Sequence, residues 1–233
     1  MRQITLTRRV FARSLPVCVF DAYGTLFDVH SAVAAHRESI GPQAEAVSAL
    51  WRQKQIEYSW LRSLMGAHAD FWQLTQDALD YALRVHGITN ADLRSRLLSA
   101  YRTLRAYPDA SGCLQGLRAQ GRRLGILSNG SPEMLSRAVT SAGLDAFFEA
   151  VLSVESVGVY KVHPRVYALV PEKFGVSAAE VCFVSSNAWD VAGAAHFGFQ
   201  VAWINRLALP PENLPGRAVT EIKSLAELPG LFP

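Results

Sequence analysis

The sequence predicts an α/β fold, a Rossmann-like doubly wound parallel sheet with an α-helical subdomain inserted after the first strand. Five short apolar runs recur along the 233 residues, and four of them lead directly into polar side chains. Runs that are apolar on both faces are typical of central strands in a parallel sheet. Helical patterns alternate with the later runs, which indicates a doubly wound arrangement. A long stretch after the first run has helical patterns only.

The predicted strands bring polar residues to one edge of the sheet. The strands are residues 17–20, 124–127, 150–152, 181–184 and 201–204. Ligands of open parallel sheets bind beyond the carboxyl ends of the strands. We therefore expect a site built from the polar residues at those ends and in the following loops, namely Asp21, Ser128, Asn129, Lys161, Ser185, Ser186, Asn187, Asp190 and Asn205.

The helices between the later strands have recognisable ends. Ser131 and Pro132 predict a helix start, with serine as N-cap and proline at the first helical position. Further helices are predicted over residues 164–174 and 190–197, each followed by a glycine that favours termination.

The helical stretch is predicted to be a separate subdomain. Its helices are expected at residues 44–65, 71–86 and 91–105, and the first carries an apolar stripe that includes Trp51 and Tyr58. We expect a subdomain at 31–106, a core domain formed by 16–30 and 107–233, and an N-terminal tail at 1–15.

Composition narrows the classes of function. Half of the residues are hydrophobic and 18% are charged, which favours an ordered globular chain. The net charge of +3 is spread thinly, apart from Arg8, Arg9 and Arg13, and this argues against nucleic-acid binding. No apolar run reaches the roughly 18 residues of a membrane span. Three cysteines without a CxxC pair are expected to be reduced thiols of a cytoplasmic protein.

The candidate residues also have ordinary structural interpretations. Serine, asparagine and aspartate are common turn formers and helix caps. Periodicity alone makes Arg52 a solvated position and Phe71 and Trp189 core residues. Asp21 is harder to explain in this way, because a carboxylate next to a buried strand requires a partner. Lys161 is a candidate partner that would keep Asp21 ionised and available as a nucleophile.

Four segments resemble the motifs of the haloacid dehalogenase superfamily. These are FDAYGTLFD at 20–28, ILSNG at 126–130, Lys161 and SSNAWD at 185–190. Within it, the similarity is greatest to the L-2-haloacid dehalogenases, because residues 50–55 and 58–65 also resemble that subgroup's first cap helix. The subgroup usually has proline after the lysine, where this chain has Val162. The resemblance covers about residues 16–228 and implies a fold with a similar core and an inserted helical cap.

The resemblance separates two chemistries. Phosphatases of the superfamily carry a second aspartate two residues after the nucleophile and use Mg²⁺, whereas this chain has Tyr23 there. A phenol with an ordinary pKa of about 10 does not replace that carboxylate. The resemblance thus implies a site with no metal and no cofactor. A Mg²⁺-dependent small-molecule phosphatase remains the alternative, and a non-catalytic binding module is a third hypothesis.

The implied activity is hydrolysis of short-chain L-2-haloalkanoic acids to D-2-hydroxy acids, with inversion at C2, through an ester on Asp21. The implied partners are the 2-haloacid and a halide ion, and the implied assembly is a homodimer. The implied catalytic residues are Asp21 as nucleophile, Lys161, Thr25 and Ser185 as the groups that hold it, and Asp190 as the base for water. The implied substrate-binding residues are Ser128 and Asn129 for the carboxylate, Arg52, Asn187 and Tyr23 for the halide, Tyr167, and Trp189 and Phe71 for the alkyl group.

Overall fold

The computed structural model describes Phe11 and residues 15–232 of the chain. The predicted α/β class is confirmed, with one parallel sheet in the order β3-β2-β1-β4-β5-β6. All five predicted strands are present, and a sixth, which the sequence did not reveal, is a three-residue edge strand too short to distinguish from a loop. The strands are β1 Val17–Phe20, β2 Arg123–Ser128, β3 Ala150–Ser153, β4 Val181–Ser185, β5 Gln200–Ile204 and β6 Thr220–Ile222.

The α-helices follow the predicted pattern, with shifts at their ends. Helix α9 begins two residues earlier than predicted because Asn187 already has the extended backbone of an N-cap. Helix α5 ends three residues earlier than predicted, and α6 was not predicted. The helices are α1 Ser31–Ala34, α2 Arg37–Ile40, α3 Ala44–Met65, α4 Phe71–Val85, α5 Ala91–Arg102, α6 Ala110–Ala119, α7 Pro132–Ser141, α8 Pro164–Phe174 and α9 Ala188–Phe197.

Short polar side chains fix several helix starts. Asp70 accepts a hydrogen bond from the backbone of Gln73 at the start of α4, and Asn90 accepts one from Leu93 at the start of α5. The predicted N-cap Ser131 accepts one from the backbone of Met134. Each bond satisfies a backbone N–H that the first helical turn leaves without a partner.

Strand β1 lies inside the sheet at a switch in strand order. It pairs in parallel with β2 on one side and with β4 on the other. The chain fills the first side with β2 and β3, then returns to the opposite side with β4, β5 and β6. Such a switch opens a crevice at the carboxyl ends of the strands, where α/β proteins bind ligands. All four residues of β1 are buried, so the residue that follows enters this crevice from the core.

The two chain segments that lead into and out of the helical insertion lie side by side. Phe27 forms an antiparallel bridge with Ala106. The backbone of Asp28 donates to the carbonyl of Arg105 at 2.9 Å, and that of Tyr107 donates to Leu26 at 2.8 Å. These bonds lie close to the predicted limits of the insertion. We call residues 31–106 the cap, and the division into core and cap remains a prediction.

The predicted N-terminal tail falls mostly outside the described residues, including Arg8, Arg9 and Arg13. Its described members, Phe11 and Leu15, are buried, and Phe11 stacks on Phe232 with ring centroids 5.1 Å apart. Within the described part of the chain, no helix has the length and apolarity needed to cross a bilayer.

A partly buried ion pair joins three loops. Asp109 accepts two hydrogen bonds from the guanidinium of Arg206, at 2.7 and 3.0 Å, and others from Ser224 and the backbone of Leu225. Burial alone would raise the pKa of Asp109, but these donors outweigh it and hold the pKa below its ordinary value. The stabilisation is therefore present at neutral pH and is lost as the pH falls through that lowered pKa.

We expect the substitution Asp109→Ala to lower the free energy of unfolding by about 3 kcal/mol, because it removes four hydrogen bonds and leaves Arg206 without its partner. Urea unfolding at neutral pH measures the change. The control is Asp92→Ala, whose side chain is 78% exposed and pairs with Arg96 on a helix surface. That variant should lose less than about 1 kcal/mol. Equal losses in the two variants would contradict the assignment.

Candidate active site

Lys161 lies between two buried carboxylates. Its ammonium donates to Oδ2 of Asp190 at 2.8 Å and to Oδ1 of Asp21 at 3.1 Å. Lys161 and Asp190 are fully buried, and Asp21 is 5% exposed. Burial alone would lower the pKa of Lys161, but the two carboxylates outweigh it and the pKa lies above its ordinary value. The lysine therefore remains charged at neutral pH.

Three separate chain segments bring these charges together. Asp21 follows β1, and its backbone N–H continues the ladder by donating to Val184 at 2.9 Å. Lys161 comes from the loop before α8, and its backbone N–H donates to Oδ1 of Asn129 at 3.1 Å. Asp190 lies in the first turn of α9. The structure brings these three residues together, and Lys161 reaches Asp21 although Val162 follows it.

The second oxygen of Asp21 has its own donors. Oδ2 accepts from the hydroxyl of Thr25 at 3.0 Å and from Nδ2 of Asn187 at 2.8 Å. With Lys161 on Oδ1, three donors fix the plane of the carboxylate. Hydrogen bonds to both oxygens hold the carboxylate in one orientation.

The two adjacent serines after β4 make different contacts. The hydroxyl of Ser185 accepts a hydrogen bond from the backbone N–H of Asn187 at 3.2 Å. Asn187 in turn donates to Asp21, so Ser185 acts on Asp21 through Asn187. Ser186, which we did not single out for catalysis, donates its backbone N–H to Thr25 at 2.9 Å and its hydroxyl to Gly24 at 2.8 Å. Ser186 thus positions Thr25, whereas Ser185 acts on Asn187.

Tyr167 supports Asp190 from the side away from Lys161. Its hydroxyl donates to Oδ1 of Asp190 at 2.8 Å. Burial raises the pKa of Asp190 to about 6, against the lowering effects of Lys161 and Tyr167. Burial, followed by the neighbouring Asp190, raises the pKa of Tyr167 well above its ordinary value. At neutral pH the tyrosine is therefore a donor and Asp190 is largely ionised.

The cap places a cation at the carboxyl ends of the strands. Arg52 of α3 donates to the backbone carbonyl of Tyr23 at 3.2 Å and to Oδ1 of Asn187 at 3.4 Å. The expectation from periodicity that Arg52 is a solvated position is therefore wrong, and its assignment to the site from the resemblance agrees with these contacts. Asn187 lies between Arg52 and Asp21. Its Oδ1 accepts from Arg52, and its Nδ2 donates to Asp21.

A small cavity lies against Asp21. Its volume is about 10 Å³, which is room for about one water molecule. Five of its lining residues are polar or charged and three are apolar. Ile56 of α3 is the one lining residue that sequence reasoning missed, because its spacing in the helix resembles that of a core residue. The lining residues are Asp21, Tyr23, Arg52, Ile56, Phe71, Ser128, Asn129 and Trp189.

The polar end of this cavity offers a free hydrogen-bond donor. Nδ2 of Asn129 is buried and has no partner among the described residues, while its Oδ1 accepts from Lys161. The hydroxyl of Ser128 accepts from the backbone of Gly130 at 3.1 Å. An unpaired buried donor is unfavourable, so an acceptor such as a carboxylate would be stabilised here. The start of α7, which follows directly, adds the positive end of a helix dipole.

Tyr23 is enclosed by aromatic rings. It packs against Phe71 and Tyr101, with centroid distances of 6.2 and 5.8 Å. Gly130 is needed beside it, because a Cβ at that position would lie 2.6 Å from the Tyr23 ring. Burial raises the pKa of Tyr23 well above its ordinary value, so the phenol stays neutral. Tyr101 was not anticipated, because an aromatic residue in a cap helix has no sequence signal that separates it from the core.

The charged groups of the site pair with one another. Among the residues that the structure describes, no three His, Cys, Asp or Glu side chains are grouped so that they could hold a metal ion. The position between the two carboxylates is taken by the ammonium of Lys161.

The chain is similar in sequence and structure to several known proteins. (S)-2-haloacid dehalogenase 1 of Pseudomonas sp. (strain CBS-3) is 51% identical over 216 residues, covering 92% of this chain and 95% of that protein. (S)-2-haloacid dehalogenase 4A of Burkholderia cepacia is 50% identical over 216 residues, covering 92% and 94%. The solved structure of L-2-haloacid dehalogenase from Xanthobacter autotrophicus with chloropropionic acid covalently bound is 41% identical. It has a TM-score of 0.86 and covers 93% of this chain and 98% of that one.

The family profile of the haloacid dehalogenase-like hydrolases matches residues 15–198, which is most of the chain. The match includes strands β1 to β4, residues 31–106 and the residues around Lys161. The chain belongs to the haloacid dehalogenase-like hydrolase family.

Proposed function

We propose that the protein hydrolyses short-chain L-2-haloalkanoic acids to D-2-hydroxy acids and halide, with inversion at C2. The observation that carries this proposal is the cavity against Asp21, where a carboxylate held by three donors faces an arginine and an apolar wall. Relatives about half identical to this chain carry the name (S)-2-haloacid dehalogenase. One structural neighbour is described with chloropropionic acid covalently bound.

In the first step, an oxygen of Asp21 attacks C2 of the substrate from the side opposite the halogen. A C–O bond forms while the carbon–halogen bond breaks, the halide leaves with the electron pair, and C2 inverts. Arg52 lines the same cavity, and its guanidinium donates hydrogen bonds to the departing halide and stabilises its charge. The ester on Asp21 divides one difficult displacement into two easier steps.

In the second step, water attacks the side-chain carbonyl carbon of Asp21. Asp190 takes the proton of the water, and the ammonium of Lys161 stabilises the negative charge that develops on the Asp21 oxygen 3.1 Å away. The ester C–O bond then breaks, Asp190 gives its proton to the departing oxygen, and the hydroxyl oxygen of the product therefore comes from Asp21. The second proton of the water leaves to solvent. The carboxylate of Asp21 is restored with one oxygen from water.

The cavity lining orients the substrate. Its carboxylate is held by the unpaired amide of Asn129, with Ser128 beside it. Its alkyl group lies toward Phe71, Ile56 and Trp189, which are the apolar members of the lining. Exclusion of bulk water by these side chains strengthens the electrostatic interactions that the charged groups make with the substrate.

The phosphatase alternative has less support. Tyr23 stands where the phosphatases of the superfamily carry their second aspartate, and its raised pKa keeps it neutral. The curated relatives named above are called dehalogenases. We therefore also propose that the reaction needs neither a metal ion nor a cofactor.

We further propose that the protein is a cytoplasmic homodimer. All three cysteines are buried and unpaired, as is usual in a reducing compartment. The resemblance implies a dimer, and the cap has large side chains near its surface. Trp60 and Trp72 are each partly covered by neighbouring side chains, Trp189 and Arg102. The end of α3 is more exposed, with Leu64 at 86% and Met65 at 68%. Light scattering in solution gives the molar mass that tests this proposal.

We expect one equivalent of halide and of D-lactate from L-2-chloropropionate, no product from the D isomer, and the same rate with or without EDTA. The substitution Asp21→Asn should lower kcat by at least about 1,000-fold, because it removes the nucleophile. An ion-selective electrode and chiral chromatography measure the two products. Mg²⁺-dependent release of phosphate from a phosphate monoester, without halide release from the L isomer, would instead establish the phosphatase alternative.

The hydrolysis of the ester should depend on the ionisation of Asp190. The pKa of Asp190 is about 6 in the free enzyme, partly because the charge of Asp21 raises it. Formation of the ester removes that charge, so the rate of ester hydrolysis should fall only below about pH 6. We call this fall the acid limb of the pH profile. Tyr167→Phe removes a hydrogen bond that lowers the pKa of Asp190, so it should move the acid limb to higher pH.

Rapid-quench single turnovers with L-2-bromopropionate, recorded across the pH range, measure this limb. The matched control is Tyr160→Phe, because the hydroxyl of Tyr160 donates to the carbonyl of Ala69 in the cap at 2.5 Å and does not contact Asp190. It should leave the limb unchanged. A limb that stays in place in Tyr167→Phe would refute the role of Asp190 as the base.

A further inference from the structure

An apolar groove runs along one face of α9, beginning at the active site. Its volume is about 470 Å³. The α9 residues that line it recur at intervals of three and four, which is one stripe of a helix. The start of α8 and the loop before β6 form the opposite wall. The lining residues are Val162, Pro164, Tyr167, Trp189, Ala192, Gly193, His196, Phe197, Leu214 and Pro215.

Trp189 lines this groove and also lines the cavity against Asp21. Its indole therefore stands between a space of about 10 Å³ and one of about 470 Å³. Tyr167 adds a second link, because it lines the groove while its hydroxyl bonds Asp190. Trp189 thus separates the groove from the cavity against Asp21, and Tyr167 separates it from Asp190.

The other apolar residues of the active-site cavity, Phe71 and Ile56, are backed by packed side chains and not by open space. Phe71 is 1% exposed and is backed by the rings of Tyr23 and Tyr160, at centroid distances of 6.2 and 5.9 Å. Ile56 is 8% exposed on the inner face of α3. A longer alkyl group would have to displace packed side chains at either of these walls, whereas behind Trp189 it would meet open space.

The position of Trp189 is fixed by the cap. The indole of Trp60 in α3 meets it edge-on, with centroids 5.5 Å apart and ring planes at 87°. An edge-to-face pair of this kind holds both rings in one orientation. The partition between cavity and groove is therefore a packed element and not a freely rotating side chain.

We propose that Trp189 sets the chain-length limit of the substrate, and that the groove behind it is an alkyl subsite which the indole closes off. The proposal rests on the proposed dehalogenation and defines the substrate class that the same site admits. With the indole in place, the site takes short 2-haloalkanoates. With the indole removed, the aliphatic tail of a longer 2-haloalkanoate enters the groove and lies along α9, whose segment from residue 189 to 197 is about 12 Å long.

The test compares L-2-bromopropionate with L-2-bromohexanoate in the wild type, Trp189→Phe and Trp189→Ala. The readout is the ratio of kcat/KM for the longer substrate to that for the shorter one, which cancels any general loss of activity. Each methylene that is buried improves binding about fourfold. We expect the ratio to rise at least tenfold in Trp189→Ala and less in Trp189→Phe, which keeps a partition.

A second variant locates the tail. Leu214 lines the groove and is 43% exposed, so Leu214→Glu puts a charge there at a position that tolerates it. In the Trp189→Ala background it should return the ratio toward the wild-type value. In the wild-type background it should leave activity toward L-2-bromopropionate unchanged, because the indole separates the groove from the reaction.

An unchanged ratio in Trp189→Ala, or a gain that survives Leu214→Glu, would overturn the proposal. If Trp189→Ala is inactive, calorimetry of hexanoate and propionate binding to the folded variant gives the same comparison without chemistry. Failure of this proposal can be distinguished from failure of the proposed function. If the proposed function is wrong, the wild type releases no halide from L-2-bromopropionate.

Discussion

The ammonium of Lys161 compensates two carboxylates that the fold buries within one crevice. An isolated carboxylate in such a place would become protonated, because the loss of water disfavours its charged form. Shared between Asp21 and Asp190, which we propose as nucleophile and base, the lysine pairs with both carboxylates inside the crevice. The geometry follows from the sheet, since the switch in strand order brings the ends of β1 and β4 and the loop before α8 to one point.

Residues of the cap enclose this charged crevice. Arg52, Ile56 and Phe71 come from the helical insertion, and together with Trp189 they close the space over Asp21 to the size of about one water molecule. A carboxylate nucleophile gains from such enclosure, since fixed donors replace mobile water around it. The same enclosure makes the shape of the pocket depend on a few aromatic side chains, so specificity is expected to reside in the cap and at the start of α9.

Sequence patterns predicted the class of fold, five strands and the meeting of polar residues at the strand ends, because residues at the ends of buried parallel strands lie close together. Arg52, Phe71 and Tyr167 were assigned to the site only through the family resemblance. The patterns failed where tertiary contacts decide. Arg52 has a solvated position by periodicity, yet its guanidinium reaches back to Tyr23 and Asn187. Of two adjacent serines, Ser186 and not Ser185 contacts Thr25, a one-residue distinction that depends on the turn after β4. Tyr101 and Ile56 look like core residues because the cap packs them against the site.

The nucleophilic role of Asp21 is tested most directly by isotope transfer in a single turnover. Enzyme in excess over L-2-bromopropionate is allowed to react in ¹⁸O-water, and the product and the peptide containing Asp21 are analysed by mass spectrometry. The ester mechanism predicts that the label enters the side chain of Asp21 and that the hydroxyl of D-lactate carries unlabelled oxygen. Label in the hydroxyl of lactate with Asp21 unlabelled would mean that water attacks C2 directly, and it would contradict the account.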